Sequence, residues 1–243
     1  MNALFRKEIS VFFSTLIGYL IIGIFLLTNS ILLWSEFSDM NILSYGYADM
    51  DIFFTTAPLF FLLFIPAISM RIFTEEYSSG TIENLITKSI TTVQIVLAKF
   101  FAVFVLVIFA ILPTLIYVAS IYYLGENIGN LDLAGIMGSY LGLIFLCTLF
   151  SAISVYASSL SSNQIISFVF AILLCTLFYF GFDILCKLLF FKNFDFFIQK
   201  IGISFHYEMM SKGLVKLSDI IYFVSFTILF LKLTELVITE RKR

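Results

Sequence analysis

Few residues in this sequence have the chemistry of catalysis or metal binding. The chain has one histidine, His206, and three cysteines, Cys147, Cys175 and Cys186, none in a CxxC spacing. Metal and haem sites usually need more ligands than these, and cysteines in apolar runs usually pack as small hydrophobic residues. No glycine is followed by lysine, so the GxxxxGK[ST] phosphate loop is absent. We therefore expect a chain that is not an enzyme and holds no metal or cofactor of its own.

The most informative polar segment covers residues 72–91. Gly80 is expected to end a helix, and Thr81 can cap a new short helix over about 81–88, with Glu83 in its first turn. The pair Thr91–Gln94 then has the spacing of a capping box for the next long helix. Two helices can be joined by far fewer residues. The segment therefore indicates a docking surface for another protein.

The composition predicts that these residues are positioned by membrane-spanning helices. The 243 residues are 61% hydrophobic and only 12% charged, with a mean hydropathy of +1.07. A soluble domain carries about 25% charged residues, so a water-soluble globule is excluded. The net charge of −2 and the pI near 5.4 argue against nucleic acid as a partner.

Charge-free runs divide the chain into spans, since a membrane helix needs about 20 apolar residues. The long run from Asp132 to Asp183 contains a polar break at 158–164. In that break, Ser161 and Gln164 have the spacing of a capping box. We predict an all-α polytopic protein, a single domain over 1–243, with six transmembrane helices at about 15–34, 52–71, 92–123, 134–158, 162–184 and 219–238.

The distribution of Lys and Arg predicts the orientation of the spans. Basic residues precede helix 1, flank the 72–91 loop and close the chain: Arg6, Lys7, Arg71, Lys88, Lys99 and 241–243. The loops after helices 1 and 3 carry only acids. Both termini and the 72–91 loop are therefore expected to be cytoplasmic. The segment 185–217 is expected to be extracytoplasmic and partly helical, although it contains five lysines.

Residues 2–14 form an amphipathic pattern ahead of helix 1. Phe5, Ile9 and Phe12 share one face, with Arg6 and Lys7 opposite. The pattern predicts a helix that lies in the membrane interface with its bases near lipid headgroups. The alternative is a frayed start of helix 1.

Two further patterns lie within the predicted spans. Ala134, Gly138 and Gly142 place small residues at four-residue intervals, which lets another helix approach closely; the partner helix could belong to the same chain or to a second copy. Lys232 and Glu235 are three residues apart and can pair on the last span.

The run Glu-x-x-x-Gly-Thr-Ile-Glu-x-Leu from Glu76 to Leu85 resembles the coupling region of ABC-2-type transporter permeases. The chain also resembles, along almost its whole length, the gliding-motility-associated permease subunits of Bacteroidetes-type bacteria. The segments that carry this likeness are 17–27, 41–49, 94–100, 158–165, 178–182 and 204–208.

The resemblance implies a permease that pairs with a separate ABC ATPase, which binds the ATP, and with a second permease copy or paralogue. It implies that helices 2 and 5 line the path and that the residues that couple to the ATPase are Glu76, Gly80, Thr81, Glu83, Leu85 and Lys88. One departure is Ser89, where the family usually has proline. The expected location is a bacterial inner membrane, in contact with membrane lipid.

Alternatives stay open at this point. A channel or secondary transporter would need intramembrane carboxylates, and Glu235 is the one candidate. A scaffold of a motility or secretion machine would leave the same docking pattern as a transporter. The segment 185–217 could gate the outer end, meet an extracytoplasmic accessory protein or cover the membrane surface.

Overall fold

The computed structural model describes residues 1–35, 41–42, 49–83, 90–125, 131–187 and 199–241. Over these ranges the chain is helical and contains no strand. The helices are α1 (Asn2–Ser14), α2 (Leu16–Trp34), α3 (Asp51–Ser69), α4 (Arg71–Ser78), α5 (Thr92–Ile111), α6 (Leu115–Leu124), α7 (Leu133–Leu160), α8 (Gln164–Lys187), α9 (Ile203–Ser211) and α10 (Leu217–Arg241).

Six helical stretches are long and apolar enough to cross a membrane. They are span 1 (Leu16–Trp34), span 2 (Asp51–Ser78), span 3 (Thr92–Leu124), span 4 (Leu133–Leu160), span 5 (Gln164–Cys186) and span 6 (Leu217–Arg241). The predicted all-helical class with six spans is confirmed. Span 3 contains the 3₁₀ turn Leu112–Thr114 at Pro113, because proline cannot continue the α-helical hydrogen bonds.

Span 4 forms the centre of the bundle. Its inner side chains, among them Leu143, Leu146 and Phe150, are fully buried. By contrast, span 1, span 5 and span 6 each have only 22% of their most apolar stretch buried inside the protein, whereas span 4 has 61%. Lipid can cover the apolar faces of these outer spans as well as protein can, so they need no further packing.

Two predicted helix starts can be compared with the structure. At Thr91 the predicted capping box is confirmed, with the side chain of Thr91 bonded to the Gln94 amide and Gln94 bonded back. At the turn before α8 the predicted box of Ser161 and Gln164 is wrong. Instead, the Oδ1 of Asn163 accepts a hydrogen bond from the Ile165 amide at 2.9 Å, since asparagine caps as well as serine does.

Span 2 is longer than the sequence indicates. The predicted span ended near residue 71, but α4 continues the helix to Ser78, so residues 72–78 of the predicted loop are helical. The reason is tertiary: Ile72, Phe73 and Glu76 on this helix are buried. The helix ends where expected, because Gly80 adopts a φ of +68° that other residues rarely adopt.

Helix α9 packs among the spans. The Ser139 hydroxyl donates to the Ser211 carbonyl at 2.7 Å, and the Tyr207 hydroxyl donates to the Phe54 carbonyl. A side chain added at Gly138 would come within 2.8 Å of the Gly213 Cα. The segment after span 5 thus returns into the bundle and rests on span 4 and span 2.

Candidate functional site

The site is built around α4, at the end of the bundle that carries α1 and the C-terminal end of α10. We call this the terminal end and the opposite one the distal end. Helix α4 directly precedes the predicted coupling residues Gly80 and Thr81. It is amphipathic, with Ile72, Phe73 and Glu76 turned inwards and Glu75 exposed.

One side of α4 contacts a cluster of four charges from three helices, Lys7, Glu8, Glu76 and Lys99, which we call the ion cluster. The Nζ of Lys99 lies 2.8 Å from Glu76 Oε2 and 3.0 Å from Glu8 Oε1. It also donates a hydrogen bond to the Ile72 carbonyl. The Lys99 side chain is 0% exposed, and those of Glu8 and Glu76 are 10% and 6% exposed.

A lysine ammonium has three donors; Lys99 donates to Glu8 and to the Ile72 carbonyl, and its contact with the Glu76 carboxylate is an ion pair. The ammonium also lies 4.9 Å from the centre of the Phe73 ring, within the range of a cation–π contact. The two carboxylates and two lysines of the ion cluster balance in charge. Buried charges of this kind are tolerated in the interior because each one has an oppositely charged partner and a hydrogen bond.

Lys7 closes the ion cluster from α1. Its Nζ donates to Glu76 Oε1 at 3.0 Å and lies 3.8 Å from Glu8 Oε1. Partial burial works against the charged amine, but the hydrogen bond to Glu76 and the carboxylates around it outweigh this. The pKa of Lys7 therefore lies above its ordinary value of 10.5.

The other side of α4 contacts the end of span 6. The guanidinium of Arg241 lies 4.2 Å from the centre of the Tyr77 ring and donates to the Leu160 carbonyl at 2.8 Å. Tyr77 in turn stacks on Phe73, with ring centres 6.2 Å apart. Helix α4 is therefore connected to α1 and span 3 on one side and to span 4 and span 6 on the other.

Four of the predicted coupling residues are described by the structure, Glu76, Gly80, Thr81 and Glu83. Glu76 is buried in the ion cluster, whereas Gly80, Thr81 and Glu83 are exposed. The Thr81 hydroxyl lies 2.8 Å from that of Ser79. Leu85 and Lys88, and most of the predicted helix 81–88, lie outside the described residues.

Sequence reasoning missed three members of the ion cluster. Lys99 and Lys7 entered only as markers of orientation and of the lipid interface, and Glu8 had no assigned role. The sequence does show a charged residue at the edge of each of three apolar segments, which indicates that these charges could meet at one membrane boundary. Which charge meets which, however, depends on how the helices pack.

The distal end carries a second group of polar residues. A cavity of about 300 Å³ lies between the starts of span 2 and span 4, and its lining includes Asp49, Asp51, Asp132 and Lys212. Burial raises the pKa of Asp49; a backbone hydrogen bond from Asp51 lowers it in part, and the charge of Asp51 raises it again. Among the described residues no group of three or more His, Cys, Asp and Glu could hold a metal ion.

The single histidine is also at the distal end. Its Nδ1 lies 2.8 Å from Asp219 Oδ1 and its Nε2 lies 2.8 Å from the Lys200 carbonyl. Its ring stacks on Tyr222 with centres 4.0 Å apart. These contacts fix α9 on the start of span 6, which is a structural role for His206.

The small residues predicted to allow close packing on span 4 lie against α9 and the turn that follows it. A side chain at Gly142 would meet Met210 at 2.9 Å, and one at Gly213 would come within 4.0 Å of the Ala134 carbonyl. Lys232 and Glu235 form the ion pair expected of them, at 2.7 Å.

The sequence was compared with models of known protein families. The model of the ABC-2 family transporter proteins matches residues 9–241, which is nearly the whole chain. No curated protein matches the chain.

Proposed function

Because the chain belongs to the ABC-2 family of transporter proteins, we propose that it is the membrane-spanning permease subunit of an ATP-driven exporter. A separate ABC ATPase would supply the hydrolysis, since the sequence has no GxxxxGK[ST] loop. A second copy or paralogue of the permease would complete the path. The proposal places the protein in a bacterial inner membrane with both termini and the 72–91 loop cytoplasmic, as the distribution of Lys and Arg indicates.

The observation that supports this function best is the position of α4. It ends directly before the exposed residues Gly80, Thr81 and Glu83, so a partner that moves this loop would move α4 as well. Through the ion cluster, α4 would carry α1 and span 3 with it. Through Tyr77 and Arg241, it would carry span 6.

In the proposed mechanism, ATP-driven closure of two ATPase subunits pushes the coupling segments and shifts the permeases between inward-open and outward-open states. Ion pairs inside a protein resist stretching, because separating buried charges is costly. The ion cluster would therefore transmit the movement. The resemblance to gliding-motility-associated subunits favours a role in that process.

The first experiment is affinity purification of the protein from native membranes in mild detergent, followed by ATP hydrolysis on the eluate. We expect an ABC ATPase to co-purify and its activity to depend on this subunit. A clean single chain without hydrolysis, reproduced in several detergents, would contradict the proposal and favour a scaffold or a channel.

A charge reversal tests the docking surface itself. Glu83→Lys should leave the protein inserted and folded but weaken association with the ATPase, because Glu83 is exposed in the proposed coupling segment. Glu240→Lys is the matched control, since Glu240 is also an exposed acid at the terminal end but lies on span 6. Equal co-purification of both variants would contradict the assignment of Glu83.

A further inference from the structure

A groove runs between α1 and span 1 on one side and span 2 on the other, at the terminal end. We call it the terminal groove. Its polar end contains Arg71, Glu75 and Glu8. Its remaining lining is largely apolar, including Phe12, Ile17, Ile21, Ala67 and Ile68.

Below the terminal groove, whose volume is about 40 Å³, lies an apolar crevice of about 10 Å³, which has room for about one water-sized group. Ile21 and Ile68 line both cavities, and the inner one is otherwise lined only by apolar residues of spans 1, 2 and 3, among them Phe25 and Phe61. From Arg71 to Phe61 the helix extends about 15 Å at 1.5 Å per residue. The whole space is thus polar at the membrane boundary and apolar below it.

Within the part of the chain that the structure describes, Arg71 has no ion-pair partner. Its Nε is buried without a hydrogen bond. A partly buried guanidinium that lacks an acceptor is unfavourable, because it has lost water and gained nothing in return. Arg71 therefore lacks an acceptor of its own at the mouth of the groove.

The two acids of the terminal groove differ in their availability. Glu8 is 3.0 Å from Lys99 and belongs to the balanced ion cluster. Glu75 is exposed and has no ion pair within 4.0 Å among the described residues. Among the described residues, the groove thus offers one cation and one anion that form no ion pair within 4.0 Å, four residues apart on the same helix.

The groove is accessible from the bilayer. Span 1, which forms one wall, is 22% buried and exposes large apolar side chains such as Leu16, Leu20 and Ile24. These face lipid in a membrane-spanning helix. An occupant would therefore enter from the lipid phase with its polar group at the boundary.

We propose that the terminal groove binds one glycerophospholipid whose headgroup carries both a phosphate and an ammonium. The phosphate pairs with Arg71, whose planar guanidinium suits phosphate oxygens. The ammonium lies at Glu75, and the acyl chains lie in the bilayer along the exposed apolar face of span 1. A lipid with only negative charge would satisfy Arg71 but would face Glu75 without a counter-charge.

The headgroup of the bound lipid would lie at the terminal groove between α1 and span 2, beside the ion cluster. The lipid acts as a resident component of the fold, taken from the surrounding bilayer. The groove follows from the membrane-spanning fold alone, so it does not depend on the function proposed above.

The test is quantitative lipid mass spectrometry on protein purified with extensive detergent washing. We expect about one phosphatidylethanolamine per wild-type chain, and about tenfold less for Arg71→Gln, since it loses charged hydrogen bonds. Ala67→Phe should lose the lipid as well, because it fills the groove with Arg71 intact. Arg6→Gln is the control, since Arg6 is an exposed arginine at the same end outside the groove.

The headgroup is tested by reconstitution into nanodiscs of phosphatidylethanolamine, phosphatidylglycerol or their mixture, followed by the same washing and counting. Wild type should retain phosphatidylethanolamine preferentially, and Glu75→Gln should lose that preference while still retaining phospholipid. Size-exclusion profiles identify variants that fail to fold. If Arg71→Gln fails, Arg71→Lys replaces it and should retain less lipid than wild type.

Three results would overturn the proposal. They are a wild type without retained phospholipid, equal retention by wild type and a folded Arg71 variant, and retention of phosphatidylglycerol over phosphatidylethanolamine. Wild type and the Arg71 variant could both hold detergent in the groove and no phospholipid. That result would also overturn the proposal.

Discussion

The ammonium of Lys99 and the carboxylate of Glu76 lie 2.8 Å apart, which joins the start of span 3 to the last turn of span 2. The two residues flank the loop that we propose as the contact with an ATPase. The same ammonium also reaches Glu8 on α1 at 3.0 Å. Any movement of α4 must therefore either carry α1 and span 3 with it or break a buried ion pair.

Replacement of Lys99 should destabilise the protein strongly. Lys99→Met would remove the buried cation from Glu8 and Glu76 and leave them the half-exposed Lys7, a loss of up to about 3–5 kcal/mol. The double variant Lys99→Met with Glu76→Gln should recover part of this loss, because one uncompensated charge is removed. Thermal unfolding in detergent measures both. Lys232→Met is the control, because Lys232 pairs with Glu235 but is 66% exposed. If this variant lost as much stability as Lys99→Met, the argument from burial would be contradicted.

The contribution of Lys7 should disappear only at high pH. Its pKa is raised above 10.5 in the folded protein, so its stabilising effect is fully present below the unfolded value and is lost as pH rises through the folded one. The difference in melting temperature between wild type and Lys7→Met should be constant between about pH 7 and pH 9 and decrease above pH 10.5. A difference that vanishes by neutral pH would be inconsistent with the contact to Glu76.

Small residues are required where span 4 meets the turn after α9. Gly138→Ala places a Cβ 2.8 Å from the Gly213 Cα, and backbone atoms cannot move aside easily. We expect a loss of about 1–3 kcal/mol, as for other overpacked sites. Gly23→Ala should be neutral or stabilising, since a Cβ there meets nothing within 4 Å and alanine favours helix. Equal melting temperatures for the two variants would contradict this close approach.

Arg241 should hold the end of span 6 to α4. Arg241→Gln removes the contact to the Tyr77 ring and weakens the hydrogen bond to the Leu160 carbonyl, a loss of about 1 kcal/mol at an exposed site. Hydrogen exchange of the last turn of α10 should accelerate. Tyr77→Phe retains the aromatic ring, so exchange there should stay close to that of wild type. If Tyr77→Phe loosens the helix end as much as Arg241→Gln does, the ring contact is not its cause.

Several features of this protein could be read from local sequence. The six spans follow from runs without charge, because each helix must satisfy its own backbone hydrogen bonds in lipid. The capping box of Thr91 and the helix break at Gly80 are also local, since each depends on residues within one turn. The cap before α8 is Asn163 and not the predicted Ser161, because the Asn163 side chain accepts from the Ile165 amide while Ser161 accepts from the Asn163 amide.

The ion cluster, the return of α9 into the bundle and the extension of span 2 to Ser78 were decided by the tertiary structure. Lys99 meets Glu8 from 91 residues away, and no local pattern specifies that distance. Hydropathy determines that a segment enters the membrane, but not which face it turns to its neighbours. Buried charges require partners, and the packing of helices determines which oppositely charged residues lie within reach.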